Sequence, residues 1–248
     1  MLNMHPKSPL KNIIPIVISG LYALNEHKSA TKLAGLYAIT PDGWEVDTLF
    51  AACEQACLGG IAALQLRDKL KTHVELSPMA LALRALCARH GVLFIINDNV
   101  QLAIDCGADG VHLGREDGGI AQARAAFAAV GKANAIIGAT CYNDIALAEA
   151  ATAQGADYLA FGAMYPSKTK PLAHHKHAAP LALFGLAKHL GVPLQLPTVA
   201  IGGITLANAG AVYAAGADAC AVVGDIFNRP LNQIAAHCRQ YKDISQAK

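Results

Sequence analysis

Short apolar runs alternate with longer, alanine-rich segments from Gly35 to the end of the chain. Eight of these runs have the length and residue types of buried strands, and they are Leu36–Ile39, Ala62–Leu66, Leu93–Ile96, Gly110–Leu113, Ala135–Gly138, Tyr158–Phe161, Thr198–Ile201 and Ala219–Val223. The segments between them, and the one after the last run, have helical composition. This alternation is typical of βα units on a parallel sheet.

A three-residue repeat divides the chain at regular intervals. Gly-Ala-Asp ends a helical segment and precedes a strand at residues 107–109, 155–157 and 216–218, and Gly59-Gly60-Ile61 has a similar place. The starts are 48, 48 and 61 residues apart, and each interval holds two βα units. Four double units predict eight strands, the number in a closed (β/α)₈ TIM barrel. A doubly wound open sheet is the alternative, but it normally has fewer strands and gives no reason for the even repetition.

The chain of 248 residues fits one such barrel, because α/β barrels of about 250 residues commonly form a single domain. We expect residues 34–248 to form the barrel and residues 1–33 to be an N-terminal extension, either packed on the barrel or poorly ordered. The apolar run of the extension, Ile13–Leu24, is shorter than the roughly 20 residues that span a bilayer. Lys7 and Lys11 give it a weak likeness to a signal peptide, which is the less favoured interpretation.

Hydrophobic residues make up 54% of the chain and charged residues 15%, which indicates a globular protein rather than a disordered one. The net charge of +2 comes without a basic run, so we expect neither nucleic acid nor a membrane as a partner. Seven cysteines are an odd number without the spacing of a disulfide framework, so we expect a cytoplasmic protein with buried thiols. Cys53 and Cys57, one helical turn apart, leave a metal or redox pair as the alternative. Association of the chain into a homo-oligomer is left open.

The active site of a (β/α)₈ barrel lies at the C-terminal ends of its strands. At the end of the second strand Gln65, Arg67 and Lys69 share one face, and Leu64 and Leu66 share the other. The polar face is therefore predicted to point into the barrel mouth, where Arg67 and Lys69 would bind an anion. The alternatives are a strand end in solvent, or an ion pair between Arg67 and a barrel carboxylate.

Two aspartates follow neighbouring strands. Asp98 lies after the third strand, in Asn97-Asp98-Asn99, and Asp117 lies after the fourth. Adjacent strand ends would bring the two carboxylates together, and they would repel each other unless a cation or a proton lies between them. Two hard oxygen ligands, completed by water and a substrate phosphate, suit Mg²⁺. The alternative is that one of the two caps the following helix.

The remaining strand ends are predicted to bind phosphate. The long loop from Gly162 to Ala179 carries Tyr165-Pro166-Ser167-Lys168-Thr169-Lys170-Pro171, in which hydroxyls alternate with lysines. Gly202-Gly203 follows the seventh strand and Val223-Gly224 ends the eighth, where barrels often bind phosphate through main-chain N–H groups. A metal site at His174, His175 and His177 of the long loop is less favoured than a solvated stretch.

These motifs, in this order, resemble those of the thiamine-phosphate synthase family, also called thiamine-phosphate pyrophosphorylase. The resemblance extends from about Leu36 to about Phe227. It rests on six segments, which are Gly35-Leu36-Tyr37-Ala38-Ile39-Thr40, Gln65-Leu66-Arg67-Asp68-Lys69, Ile96-Asn97-Asp98, Gly110-Val111-His112-Leu113-Gly114 with Asp117, Tyr165-Pro166-Ser167-Lys168-Thr169-Lys170, and Ala200-Ile201-Gly202-Gly203-Ile204.

The resemblance implies a reaction that joins hydroxymethylpyrimidine diphosphate to a thiazole phosphate and releases pyrophosphate. In the family the C–O bond breaks first, and the thiazole nitrogen captures a pyrimidine-stabilised carbocation. The implied contacts to the pyrimidine diphosphate come from Gln65, Leu66, Arg67, Asp68, Lys69, Asn97, Thr140 and Lys170, of which Arg67, Lys69, Thr140 and Lys170 would be catalytic. The implied Mg²⁺ ligands are Asp98 and Asp117, and the implied thiazole-phosphate contacts are Ser167, Lys168, Thr169, Gly203, Val223 and Gly224.

The chain departs from the family pattern at two places. Thr140 stands where the family often has Ser, which keeps a hydroxyl. Val223-Gly224 stands where the family often has Ile-Ser, so that a phosphate there would meet only main-chain N–H groups. Asp225, the next residue, would repel a phosphate unless its side chain points away.

Two other functions compete with the synthase. Related thiazole tautomerases share the barrel but use a histidine after the fifth strand, where this chain has Gly138-Ala139-Thr140-Cys141-Tyr142. They also lack the Asn-Asp pair and the later aspartate that stand here as Asn97, Asp98 and Asp117. A non-catalytic sensor of thiazole or thiamine phosphates is the second alternative, but a sensor has no need to stabilise a departing pyrophosphate.

Overall fold

The structure, a computed structural model, describes residues 33–166, 181–184 and 196–247. Its parallel strands are β1 (Gly35–Ile39), β2 (Ala63–Leu66), β3 (Leu93–Asn97), β4 (Gly110–Leu113), β5 (Ile136–Tyr142), β6 (Tyr158–Gly162), β7 (Thr198–Ile201) and β8 (Ala219–Val222). The described helices are α1 (Val46–Leu58), α2 (His73–His90), α3 (Val100–Cys106), α4 (Ile120–Ala129), α5 (Ile145–Ala153), α6 (Leu206–Ala214), α7 (Gly224–Phe227) and α8 (Leu231–Gln246). Each strand pairs with its neighbours in the chain, and β8 pairs with β1. This closed barrel confirms the predicted fold.

The fifth strand is longer than its sequence pattern predicts. It continues to Tyr142, because residues beyond Gly138 keep the pairing with β6 across a shift in register between Thr140 and Tyr142. Thr140 therefore lies inside the strand rather than after it. The other seven strands differ from their predicted bounds by no more than one residue at either end.

Alternate strand positions form two separate apolar layers. One layer fills the barrel interior and includes Leu33, Tyr37, Ile95 and Tyr158, and the other packs between the strands and the surrounding helices. The Tyr158 ring fits inside the barrel only because residue 138 is glycine, since a Cβ added there would overlap the ring. The small residue on β5 thus makes room for a large one on β6.

The Gly-Ala-Asp repeat joins pairs of strands at their N-terminal ends. In each copy the aspartate carboxylate accepts a hydrogen bond of 2.7 to 2.8 Å from a main-chain N–H at the start of the preceding strand. The aspartate N–H donates to the carbonyl of that same residue. The pairs are Asp109 with Phe94, Asp157 with Ile137 and Asp218 with Thr198. These Gly-Ala-Asp clamps tie β3 to β4, β5 to β6 and β7 to β8, so the repeat has a structural role in the double units.

All seven cysteines are buried and free of disulfides. They are carried by the helices and by the outward faces of the strands, where they pack in the outer apolar layer. Within the described ranges, no helix is both long enough and apolar enough to cross a membrane.

Candidate active site

Five polar side chains form a continuous hydrogen-bonded chain through the barrel interior. Gln65 Nε2 donates to the Tyr37 hydroxyl, which bonds to the Tyr158 hydroxyl; both O/N distances are 2.9 Å. The Tyr158 hydroxyl bonds to His112 Nδ1, and His112 Nε2 bonds to Thr140 Oγ1, again at 2.9 Å each. The chain connects β2 to β5 by way of β1, β6 and β4. It therefore links Gln65 and Thr140, two predicted pyrimidine contacts, across the floor of the barrel mouth.

The direction of these hydrogen bonds follows from Gln65. Gln65 Nε2 can only donate, so the Tyr37 oxygen accepts from it. The Tyr37 hydroxyl then donates its own hydrogen to the Tyr158 oxygen. Tyr158 then donates to Nδ1 of His112, which selects the neutral tautomer with its hydrogen on Nε2. His112 donates in turn to Thr140, which leaves the Thr140 hydroxyl hydrogen available to another acceptor. The chain thus presents a hydrogen-bond acceptor at Gln65 and a donor at Thr140.

Burial keeps the two phenols of this chain protonated. Desolvation raises the pKa of Tyr37 and of Tyr158 well above that of an exposed tyrosine, and both side chains are fully buried. The stacked rings of His112 and Tyr158, with centroids 5.5 Å apart, hold the imidazole in place. Neither Tyr37, His112 nor Tyr158 was assigned a role by the strand-end pattern. The alternation of positions along each strand could have predicted that these side chains point inward. It could not have predicted which side chains on other strands they contact.

Arg67 is held by residues from the loop after β1. The Thr40 hydroxyl donates to the Arg67 carbonyl at 2.7 Å and accepts from its N–H at 2.8 Å. Asp42 accepts from Arg67 Nη1 at 2.7 and 2.8 Å and from the Lys69 N–H at 2.9 Å. The ion pair of Arg67 with a barrel carboxylate, given above as an alternative, is therefore present. It uses one nitrogen of a group with five donors, so it does not prevent the guanidinium from binding an anion as well.

The carboxylates of Asp98 and Asp117, at the ends of β3 and β4, lie close enough to interact. Burial, followed by the contact with Asp117, raises the pKa of Asp98 to about 6. Asp98 also has a φ of 61°, a left-handed conformation that is rare for residues other than glycine and that is often found at functional sites. Lys69 Nζ is 3.6 Å from Asp98 Oδ2, and Asn97 Nδ2 donates to the same oxygen at 2.5 Å.

Other residues cap the helices that follow these aspartates. Asn99 caps α3 by accepting from the Leu102 N–H at 2.8 Å, and Gly119 occupies the N-cap of α4. The alternative role of Asp98 or Asp117 as a helix cap is therefore wrong. Within the described ranges no three or more His, Cys, Asp and Glu side chains form a metal cluster, so a metal here would have two protein carboxylates and would need oxygens from water or substrate.

A cavity of about 260 Å³ lies beside Asp98, between the ends of β2 and β3 and the start of α2. Its lining is mixed, with Lys69, Asn97 and Asp98 on one side and the apolar Leu66, Leu76 and Ile96 on the other.

Two predicted contacts are directed elsewhere. The Leu66 side chain is buried in the outer layer between strands and helices. The Asp68 carboxylate accepts from the Gly43 and Leu70 N–H groups, both at 2.9 Å, and pairs with Lys71 at 3.2 Å. Leu66 and Asp68 therefore have side-chain roles in packing and in loop structure.

Two glycines form the turn after β7, and a third follows β8. Gly202 and Gly203 have φ values of 99° and 63°, and a Cβ on Gly203 would overlap the carbonyl groups of Tyr165 and Pro166. Val223 lies at the edge of the interior layer and is followed by Gly224. The predicted repulsion by Asp225 is removed, because its carboxylate is directed to α8 and hydrogen-bonds to His237 and other groups there.

Several predicted residues lie outside the described residues. They are Ser167, Lys168, Thr169 and Lys170, the histidines His174, His175 and His177, and all but the last residue of the extension 1–33.

The fold and the site together define a barrel enzyme that acts on small phosphorylated substrates. Residues 36–226 match the family described as thiamine monophosphate synthase. A thiamine-phosphate synthase from Chromobacterium violaceum is 52% identical over 197 residues, which cover 79% of this chain and 90% of that protein. One from Methylobacillus flagellatus is 48% identical over 216 residues, covering 87% and 97%.

A solved structure, the thiamine phosphate pyrophosphorylase from Pyrococcus furiosus, superimposes with a TM-score of 0.71 and 29% identity, covering 88% of this chain and 98% of that one. The chain belongs to the thiamine monophosphate synthase family. Its activity is thiamine-phosphate synthesis, which makes it a transferase of thiamine biosynthesis.

Proposed function

We propose that this barrel joins hydroxymethylpyrimidine diphosphate to a thiazole phosphate in an Mg²⁺-assisted reaction. The observation that carries the proposal is the proximity of Asp98 and Asp117 at the same end of the barrel as Arg67 and Lys69, with Lys69 Nζ 3.6 Å from Asp98. Two carboxylates beside two cations match a diphosphate that is bound through a metal on one side and through basic side chains on the other.

The interior hydrogen-bonded chain supports the pyrimidine position. An aminopyrimidine has an exocyclic amino group that donates and ring nitrogens that accept. Gln65 offers an acceptor and Thr140 a donor, and Asn97 lies at the same rim. The diphosphate would then meet Arg67, Lys69 and Lys170, while Leu66 and Asp68 would contribute main-chain contacts only.

Asp98 and Asp117 would hold Mg²⁺. Their chemistry fits, because both are oxygen ligands. Burial, together with the proximity of Asp117, raises the pKa of Asp98, and a divalent cation between the two would favour the charged form. When bound, the ion neutralises charge on the departing pyrophosphate.

The proposed reaction has two covalent changes. The bond between the pyrimidine methylene carbon and the diphosphate oxygen breaks, and both electrons leave with pyrophosphate. The lone pair of the thiazole nitrogen then forms the new C–N bond to that carbon. Arg67, Lys69 and Lys170 stabilise the leaving group.

The thiazole phosphate is assigned to the opposite side of the mouth. Gly203, Val223 and Gly224 would approach it through the main chain, and Ser167, Lys168 and Thr169 would add polar contacts. Gly202 and Gly203 give the turn after β7 its positive φ values and its close packing on the segment after β6.

A cytoplasmic location is part of the proposal. Its support is the set of seven buried, unpaired cysteines, since proteins of oxidising compartments usually pair theirs. Neither nucleic acid nor a membrane is proposed as a partner, and light scattering of the purified protein would show whether copies associate.

The central test follows product formation. The purified chain is mixed with both phosphorylated precursors and Mg²⁺, and the product is oxidised to fluorescent thiochrome. We expect a signal that needs both precursors and that is lost with a chelator. Absence of product at high enzyme concentration would overturn the proposed function.

The metal assignment is tested by Asp98→Asn, which keeps the size of the side chain and removes its charge. We expect the rate at limiting Mg²⁺ to fall by about 100-fold. Asp243→Asn, on the exposed face of α8, is the matched control and should leave the rate unchanged. Full activity of Asp98→Asn would show that the ion is held elsewhere.

A further inference from the structure

The carboxylate of Asp225 connects the ends of β7 and β8. Asp225 is the second residue of α7, directly after β8. Its Oδ2 accepts a hydrogen bond of 3.0 Å from the N–H of Leu206, the first residue of α6 and only three residues beyond Gly203. One carboxylate oxygen therefore holds the turn after β7 against the turn after β8.

The terminal helix holds the same carboxylate from the other side. His237 Nε2 and the Tyr241 hydroxyl, both on α8, each lie 2.7 Å from Oδ2. Arg229 Nη2 donates to Oδ1 at 3.1 Å, and its Nε donates to the Asp225 carbonyl at 2.8 Å. His237 and Tyr241 are buried, so these bonds fix the carboxylate in a site with little access to water.

The turn after β7 is braced at its own end as well. Asn208 Nδ2 donates to the Gly203 carbonyl at 3.1 Å, and Asn208 Oδ1 accepts from the Thr205 N–H at 2.9 Å. Asn208 fixes the turn internally, whereas Asp225 joins it to the segment that follows Val223 and Gly224.

We propose that Asp225 is a positioning residue for the phosphate of the thiazole substrate, because it fixes the distance between the Gly203 turn and the Val223-Gly224 turn without touching the phosphate. This inference rests on the proposed function, which assigns the thiazole phosphate to these two turns. This role also explains how an acidic residue is accommodated next to an anion site, because the carboxylate is hydrogen-bonded to His237 and Tyr241 of α8. The loss of a serine hydroxyl at Gly224 is then offset by rigid main-chain donors.

The test compares steady-state constants for the two substrates. Asp225→Asn removes the charge and replaces an acceptor oxygen by a donor that faces His237 and Tyr241. We expect the KM for the thiazole phosphate to rise about tenfold, while the KM for the pyrimidine diphosphate and kcat at saturation stay within about twofold.

Asp218→Asn is the matched control, because Asp218 also joins β7 to β8, but at the opposite end of the barrel. Its Oδ2 accepts from the Thr198 N–H at 2.8 Å and from the Thr198 hydroxyl at 2.9 Å. This variant should lower Tm and leave both KM values unchanged. If Asp225→Asn behaves in the same way, or raises both KM values equally, Asp225 is a purely structural residue and the inference is overturned.

Tyr241→Phe serves as a milder variant where Asp225→Asn does not fold. It removes one of the three hydrogen bonds to Oδ2, and we expect a rise of about two- to threefold in the thiazole-phosphate KM alone. An unchanged ratio of the two KM values would contradict the proposal. Failure of the proposed function is distinguished beforehand, because the wild-type chain would then form no thiamine phosphate at all.

Discussion

At the scale of single residues, the sequence predicted which side chains point into the barrel better than it predicted their hydrogen-bond partners. The alternation along β2 correctly placed Gln65 on the interior face, and Leu66 on the face towards the helices. The three residues that join Gln65 to Thr140 come from β1, β4 and β6, and barrel closure alone brings them together. Sequence periodicity gives the face of a strand, but it carries no information on contacts across a closed sheet.

Gly138 tests how tightly this interior is packed. Gly138→Ala places a Cβ on the Tyr158 ring, so we expect a loss of about 1–3 kcal/mol in the free energy of unfolding, together with reduced activity. Gly210→Ala on α6 is the control, because its Cβ has ordinary contact distances. Helix propensity should make that variant more stable by about 0.5–1 kcal/mol. Urea unfolding measures both, and equal effects of the two substitutions would refute the packing argument.

At the scale of elements, strands were predicted closely because buried runs have clear ends. The exception, β5, was predicted too short, because Thr140 and Tyr142 look like a polar strand end although they continue the ladder with β6. The left-handed backbone at Asp98 also has no counterpart in the sequence pattern, since nothing in Asn97-Asp98-Asn99 requires it. The sequence pattern placed the Gly-Ala-Asp repeat between a helical segment and the next strand. The structure adds that its aspartates hydrogen-bond to the neighbouring strand.

The Gly-Ala-Asp clamps should contribute measurably to stability. Asp109→Ala removes the acceptor for the Phe94 N–H and leaves the mostly buried Arg84 without its partner carboxylate, at 3.6 Å in the wild type. We expect a loss of about 3 kcal/mol in the free energy of unfolding. Asp144→Ala, which removes only an exposed helix cap of α5, should cost about 1 kcal/mol. If chemical denaturation gives similar losses in the free energy of unfolding for both variants, the clamp stabilises the barrel no more than an exposed helix cap does.

At the scale of the whole molecule, the barrel separates stability from chemistry along its axis. The clamps lie at the N-terminal ends of the strands, and the carboxylates, cations and glycine turns lie at the C-terminal ends. The count of double units predicted the eight strands of the barrel, because that count depends only on the periodicity of the sequence. The site was predicted as a set of strand ends, whereas its internal braces, Thr40, Asp42 and Asp225, depend on contacts between loops far apart in sequence.

The seven cysteines report on the cohesion of the whole barrel. All of them are buried, and burial raises the pKa of Cys106 to about 11 and those of Cys141 and Cys238 to about 12. We expect a thiol reagent to label essentially none of them in the native protein within minutes, and all seven after unfolding in guanidinium. Rapid labelling of one thiol under native conditions would show that part of the outer layer opens independently.

The hydrogen-bonded chain from Gln65 to Thr140 has a polarity, and one end of it sets that polarity. A carboxylate in place of the amide, as in Gln65→Glu, can only accept, so every hydroxyl and the imidazole would exchange donor and acceptor atoms in turn. His112 would then carry its hydrogen on Nδ1, which nitrogen NMR shifts would show, and Thr140 would donate to the imidazole instead of to a ligand. The side chain at residue 65 on β2 thus determines which atoms carry the hydrogens at His112 on β4 and Thr140 on β5.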